Sequence, residues 1–264
     1  MKSTWRQKLI GDKSFYKMVL LIAVPIMIQN GITNFVSLLD NIMVGQVGTE
    51  QMTGVAIVNQ LIFVYNLCIF GGVSGAGIFT AQFFGQKDDE GVANTMRFKL
   101  YMGVILTGIT ILLFLTFGES LIQMYLNGNQ DGGDVAAALR YGKEYLRIML
   151  IGLPPFMLVQ VYASTLRECG RTVTPMKAGI VAVIVNLVFN YFLIYGKFGF
   201  PKLGVAGAAV ANVMSRHVAG FIVVGWTHRP RGIKSYYLGL DYKAKNAGIP
   251  VKRIPIKGTT VPLD

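Results

Sequence analysis

The chain has 264 residues, 53% of them hydrophobic and 14% charged, with a formal net charge of +12. A charged share far below the roughly 25% of soluble domains excludes that class and indicates an all-α integral membrane protein. The basic balance would fit nucleic acid, but Lys and Arg gather in the links between apolar runs, which excludes that partner and makes membrane lipid the expected one.

The first apolar run organises the chain. Met18 to Leu39 carries no charged side chain, enough to cross a hydrocarbon core that needs about 20 helical residues. The predicted first span is Tyr16–Ile42, behind a basic lead-in. Pro25 lies inside it as the expected helix bend. Asn30, Thr33, Asn34 and Ser37, then Asp40 and Asn41, recur at spacings of three and four and line one face. Such a stripe is expected to face protein or water and to line a transport cavity.

The second span, Gly54–Phe84, carries Asn59, Gln60 and Asn66. Gln60 joins the expected lining. Its run Gly71-Gly72-Val73-Ser74-Gly75-Ala76-Gly77 reads as a close-packing surface. An acidic link, Asp88-Asp89-Glu90, leads to the third span, Arg97–Phe117. Asn127 to Asp134 reads as turns. The fourth span is Tyr145–Leu166, kinked at Pro154-Pro155. The fifth, Met176–Tyr195, is followed by a turn and the sixth, Gly204–Trp226. The prediction is a six-transmembrane-helix bundle over 1–228. A basic tail, 229–264, is expected to lie on the cytoplasmic side with little order.

With the N-terminus inside, inner segments hold 19 Lys and Arg and outer ones 5. That asymmetry places both termini in the cytoplasm of a multi-pass protein.

Asp40 closes the polar stripe, so it is the first candidate for exchanging a proton or binding Na⁺. The alternative is an ordinary interfacial acid at a helix end. Asn186 and Asn190 stand four apart on one face of the fifth span. They are candidates for the same cation site, against a purely structural role of about 0.6–2 kcal/mol per contact in holding helices together. Asn212 and Arg216 share a face of the sixth span. Arg216 is expected to be the one cation inside the membrane. His217 beside it reads as packing. Tyr191, Tyr195, Phe198 and Phe200 read as an interfacial aromatic belt. No phosphate loop, nucleophile elbow or metal-ligand spacing is present, so neither an enzyme, a resident metal nor a cofactor is expected.

Several segments in order resemble one family. Ala23-Val24-Pro25-Ile26-Met27-Ile28-Gln29 with Asp40-Asn41-Ile42-Met43-Val44-Gly45 resembles the first helix of the MATE (multidrug and toxic compound extrusion) transporters. Ala81-Gln82-Phe83-Phe84-Gly85-Gln86-Lys87 is similar to the end of their second. Leu166-Arg167-Glu168-Cys169-Gly170-Arg171-Thr172 is similar to their fourth-to-fifth link. Asn186-Leu187-Val188-Phe189-Asn190-Tyr191 resembles their fifth helix, and Gly204-Val205-Ala206-Gly207-Ala208-Ala209 the start of their sixth. The likeness covers about residues 10–228.

The resemblance implies export of a drug or organic cation across a bacterial cytoplasmic membrane in exchange for H⁺ or Na⁺. It makes Asp40 a cation and proton site to which Asn186 contributes. It makes Pro25 a bend linked to protonation. The position of Asn190 is often an acid in the family and that of Asn212 often Thr. Members have two such lobes, and this chain resembles the first. A homodimer, or pairing with a missing second lobe, is therefore expected. The other readings are a related lipid-linked sugar flippase, which would need more intramembrane cations for a pyrophosphate, and a non-transporting membrane fragment.

Overall fold

A computed structural model describes residues 13–128 and 134–228. The predicted tail, 229–264, lies outside the described residues. Seven helices follow in order: α1 (Lys13–Gly45), α2 (Thr49–Gly85), α3 (Asp89–Gly128), α4 (Val135–Ile151), α5 (Leu153–Glu168), α6 (Val173–Tyr195) and α7 (Val205–Thr227). Five are long and apolar enough to cross a membrane. The pair α4 and α5, bent by 48° at Gly152, makes the sixth span. The expected all-α, six-span bundle is what forms.

Several boundaries differ from the sequence reading: α2 starts earlier, at Thr49, α3 runs on to Gly128 through Asn127, which reads as a turn, and two further helix starts move earlier for one reason. Asp88 accepts hydrogen bonds from the backbone N–H groups of Glu90 and Gly91, at 3.1 and 3.0 Å. Asp134 does the same for Ala136 and Ala137, at 3.0 and 3.1 Å. These caps satisfy N–H groups that a helix start leaves bare. They carry α3 and α4 well beyond the apolar runs, so α3 starts at Asp89 and α4 at Val135. The fifth predicted span ends as expected. Gly196 takes the left-handed conformation (φ 68°) that stops α6 after Tyr195.

The bundle has an uneven plan. α2 packs along α3 and α4, and α5 fills the space between α2, α3 and α7. α6 and α7 form a tight pair joined to the rest through α4 and α5. Tyr65, Ile69, Met96, Ile122, Met149, Leu153 and Leu166 form the buried centre. Backbones approach closely at two glycines: a Cβ on Gly54 of α2 would sit 2.6 Å from the Ala138 carbonyl oxygen of α4, and one on Gly207 of α7 2.6 Å from the Leu193 oxygen of α6. α1 stands apart. It rests mainly on α6, and Val36 and Val44 are the side chains it is seen to bury. Leu20, Leu21 and Met27 are exposed, as suits a surface against lipid or another protein.

The break at Gly152 follows from Pro154 and Pro155. Neither has an N–H, so the helical bonds to Leu150 and Ile151 cannot form. Side chains from other spans fasten the neighbouring carbonyls at the break. The Tyr65 hydroxyl donates to the Leu153 oxygen at 3.2 Å and contacts Thr107 Oγ1 at 2.9 Å. Arg216 Nη1 donates to the Gly152 oxygen at 3.4 Å, with the guanidinium 5.1 Å from the Phe156 ring centroid.

Arg216 is not the one cation within the spans, which corrects the sequence reading. Lys99 of α3 is fully buried, pairs with Glu168 of α5, and donates to Ser164 Oγ at 3.4 Å. Gly77 leaves the space for this pair: a Cβ there would lie 2.1 Å from Glu168 Oε1. The small residues of α2 thus make room for a carboxylate, and not only for a backbone. Burying charges is costly, but removing one partner costs more, because the other is left alone. Lys99→Met is expected to destabilise the bundle by about 3 kcal/mol. Lys99→Met with Glu168→Gln should recover most of that loss. Thermal denaturation in detergent, read by size-exclusion recovery, checks both, and equal losses in the single and double variants would rule the pair out as a stabilising unit.

Candidate functional site

Five helices send polar side chains to one place. Asp40, near the end of α1, leans towards α6 and is half-buried. Asn190 Nδ2 donates to Asp40 Oδ1 at 2.6 Å and to Asn186 Oδ1 at 3.2 Å. Asn190 is fully buried and Asn186 nearly so. The spacing of four brings both amides onto the face of α6 that meets α1. With the Asn186 amide turned over, its nitrogen reaches both Asp40 oxygens, at 3.0 and 3.1 Å. Its other end then lies 3.2 Å from the Asn212 side chain on α7. Asn212 also lies beside the hydroxyl of Tyr145 on α4. That hydroxyl donates to Asn59 Oδ1 on α2 at 3.3 Å.

The network has chemical consequences. An ionised carboxylate only accepts, while each amide offers both a donor and an acceptor. The Asn186 amide therefore suits both states of Asp40: nitrogen towards the carboxylate, oxygen towards the acid. Asn190 Oδ1 is buried, with no hydrogen-bond partner among the described residues. A buried bare oxygen costs roughly 1–3 kcal/mol.

The predicted residues divide into two groups. Asp40, Asn186, Asn190 and Asn212 come together. Asn30, Thr33, Asn34 and Ser37 of α1 and Gln60 of α2 are exposed on an open face. Thr33 turns back to the Gln29 carbonyl at 2.9 Å. Helix α1 runs unbroken through Pro25, which leaves the Leu21 carbonyl without its helical donor. Tyr195 Oη, in the predicted aromatic belt, donates to Gln46 Oε1 at 2.6 Å, and Phe192 stacks on Phe200 with centroids 5.6 Å apart. The sequence reading missed Tyr145 and the contact of Asn59. Tyr145 was placed at a helix start, although its position four residues before Met149 on one apolar face marks it as inward.

A six-span bundle of apolar helices with polar groups gathered inside it is the architecture of a multi-pass membrane protein. A family model described as MatE matches residues 25–192, and the chain belongs to the MATE family. It is 31% identical over 211 residues to a probable multidrug resistance protein NorM of Thermotoga maritima, covering 78% of this chain and 43% of that one. To the probable multidrug resistance protein YoeA of Bacillus subtilis it is 29% identical over 216 residues, covering 80% and 44%. It superposes on a MOP superfamily transporter of Pyrococcus furiosus, described by a reversed polarity of its binding pocket, with TM-score 0.69 and 26% identity over 88% of this chain and 48% of that one. A MATE protein in a bent conformation matches with TM-score 0.70 and 25% identity, over 84% and 46%. The chain spans a little under half the length of these relatives.

A substitution at Asn190 tests the geometry. Asn190→Asp would set two carboxylates in hydrogen-bond contact, which are stable only with a proton or cation between them. Its thermal stability is expected to rise with added NaCl, or with lower pH, more steeply than that of the wild type at matched ionic strength. Parallel curves for the two proteins would show that residue 190 does not face Asp40.

Proposed function

We propose that this chain supplies one lobe of an exporter that drives drugs or organic cations out of a bacterial cell in exchange for H⁺ or Na⁺, with Asp40 as the coupling site. The carrying observation is the direct contact of Asp40 with Asn190 and Asn186, beside the bare oxygen of Asn190. An acid held in a bundle by amides that answer both its states can take and release a cation without leaving a polar group stranded. Asp40 is the network's one carboxylate, which favours the proton over a Na⁺ ion that would need several charged or carbonyl ligands.

Exchange follows from competition. Ionised Asp40 draws the Asn190 and Asn186 nitrogens and leaves a net negative charge for a cationic substrate. Protonation removes that charge and turns Asn186, which loosens α1 from α6. Pro25 is the point at which α1 yields, because one helical hydrogen bond is missing there. Both termini lie in the cytoplasm in this reading, so Asp40 belongs to the outer half of the bilayer. A second lobe completes the pathway, either a second copy of this chain or another polypeptide, since lobes of like topology pair about an axis along the membrane normal. The chemistry proposed is transport, with no bond of the substrate broken.

The flippase reading is weaker. A pyrophosphate needs cations open to it, yet Lys99 is engaged by Glu168 and Arg216 by the Gly152 carbonyl and the Phe156 ring.

Proteoliposomes loaded with ethidium test the coupling. A pH gradient, acidic on the side opposite the dye, is expected to drive efflux with the wild type and not with Asp40→Asn. Efflux at the wild-type rate in Asp40→Asn would falsify the coupling role. Drive by a Na⁺ gradient alone would make Na⁺ the coupling ion.

A further inference from the structure

At the end of the bundle opposite Asp40, a groove of about 670 Å³ opens between α2 and α3. Phe79 and Phe83 of α2 and Phe98 of α3 form its walls, and Asp88 and Glu90 stand at its mouth. Phe79 and Phe98 are 57% and 59% exposed. Gly75 forms part of the floor, and a Cβ there would meet nothing within 4 Å. The volume lies within the roughly 300–1,000 Å³ of small-molecule sites, and the walls are mainly apolar. None of the exchange proposed for Asp40 uses it.

The charge at the mouth selects what fits. Asp88, Asp89 and Glu90 follow Lys87 directly, and of these four charged residues only Asp88 and Glu90 line the groove. Asp88 turns one oxygen to the backbone of Glu90 and Gly91. Among the described residues neither Asp88 nor Glu90 is in an ion pair. The nearby Arg97 donates to Asn94 Oδ1 at 2.9 Å and not to either acid. Aromatic faces attract a cation lying over them, and the carboxylates add to that field. An anion of the same shape meets the same apolar walls and is repelled.

We propose that this groove is a second binding site, one that takes an amphipathic cation, with its charge between Asp88 and Glu90 and its apolar body on Phe79 and Phe98. It lies near where α2 ends and α3 begins. The ligand is a hydrophobic onium ion entering from the membrane surface, and the ammonium headgroup of a lipid offers the same chemistry. In the orientation proposed above this is the cytoplasmic face, where an exporter first meets its cargo. The site itself depends on neither that orientation nor the role of Asp40.

Equilibrium binding of tetraphenylphosphonium to the purified chain tests it. In detergent, Asp88→Asn with Glu90→Gln is expected to raise Kd about fivefold, since both replacements keep size and Asn keeps the helix cap. Phe79→Leu should raise it about threefold. Glu119→Gln, outside the groove, should leave it unchanged, and the same measurements in the Asp40→Asn background separate the groove from the cation site proposed at Asp40. Tetraphenylborate, of the same shape and opposite charge and titrated on its own because it pairs with the phosphonium in water, should not bind. Nanodiscs with and without phosphatidylethanolamine separate the two sources. A weaker apparent affinity with that lipid, lost in the double variant, supports the lipid as a groove occupant, and equal affinity supports the free cation alone. An unchanged Kd in both groove variants, with wild-type elution profiles, overturns the proposal. So does loss of all binding in Asp40→Asn.

Discussion

A polar group inside hydrocarbon has no water to turn to, and that constraint accounts for most of what is distinctive here. The break at Gly152 shows it most plainly. Two prolines remove the donors that would have carried the helix through, and side chains from other spans, Tyr65 of α2 and Arg216 of α7, fasten the break at the neighbouring Leu153 and Gly152 carbonyls. Arg216 would otherwise be an expensive charge at mid-span. Its partner is a carbonyl at the C-terminal end of α4, where the helix dipole favours a cation. A residue that looks like a transport group in the sequence is thus held by the fold's own irregularity. The same logic covers Lys99. Its charge is tolerated because Glu168 and Ser164 reach it and because Gly77 has no side chain to exclude them.

The Asp40 network is a different solution to the same problem. Neither structural cation is bonded to the acid. Amides surround it, and an amide can reverse where a guanidinium cannot. A carboxylate fixed by an arginine would resist protonation and pass through one state only. Asn186 and Asn190 leave both states open at small cost, which is the property a coupling group needs. The bare oxygen of Asn190 shows that the set is not fully satisfied as it stands. Incomplete satisfaction is unusual in a buried site, and it leaves room for an ion or a proton to change the balance.

Much of this was legible in the chain before any coordinates. The uncharged run from Met18 to Leu39 and its later equivalents specify spans because length and composition suffice for that. The i to i+4 spacing of Asn186 and Asn190 puts them on one face whatever the packing. Their meeting with Asp40 was expected from resemblance, since 150 residues of chain separate Asn190 from Asp40. The inward face of Tyr145 is readable from its spacing to Met149, but its partner was illegible for the same reason: only the α2–α4 approach at Gly54 brings Asn59 to its hydroxyl. Lys99 was counted with the loop charges because hydropathy averages over a window, and an average conceals one lysine whose partner lies on another helix. The helix ends failed differently. Composition marks where an apolar run stops, while Asp88 and Asp134 continue the helix past it by local hydrogen bonds.

The loose seating of α1 gives the network its leverage. Most spans are held on two or more sides, whereas α1 leans chiefly on α6 and presents Leu20, Leu21 and Met27 outward. With so little apolar surface committed, its polar contacts are a large share of what fixes its place. Those contacts centre on Asp40, with Tyr195 reaching Gln46 just beyond the helix end. Loss of one charge-assisted hydrogen bond removes roughly 1.5–3 kcal/mol, little against a packed core but enough to shift a helix held this lightly. Pro25 lies fifteen residues earlier, about four turns along the same helix. The segment between them carries the exposed stripe of Asn30, Thr33, Asn34 and Ser37. A shift of α1 set off at Asp40 and absorbed at Pro25 would therefore move that whole stripe together. In the proposed exchange the acid and the stripe would act as one unit for this reason, although only the acid is packed among the other helices.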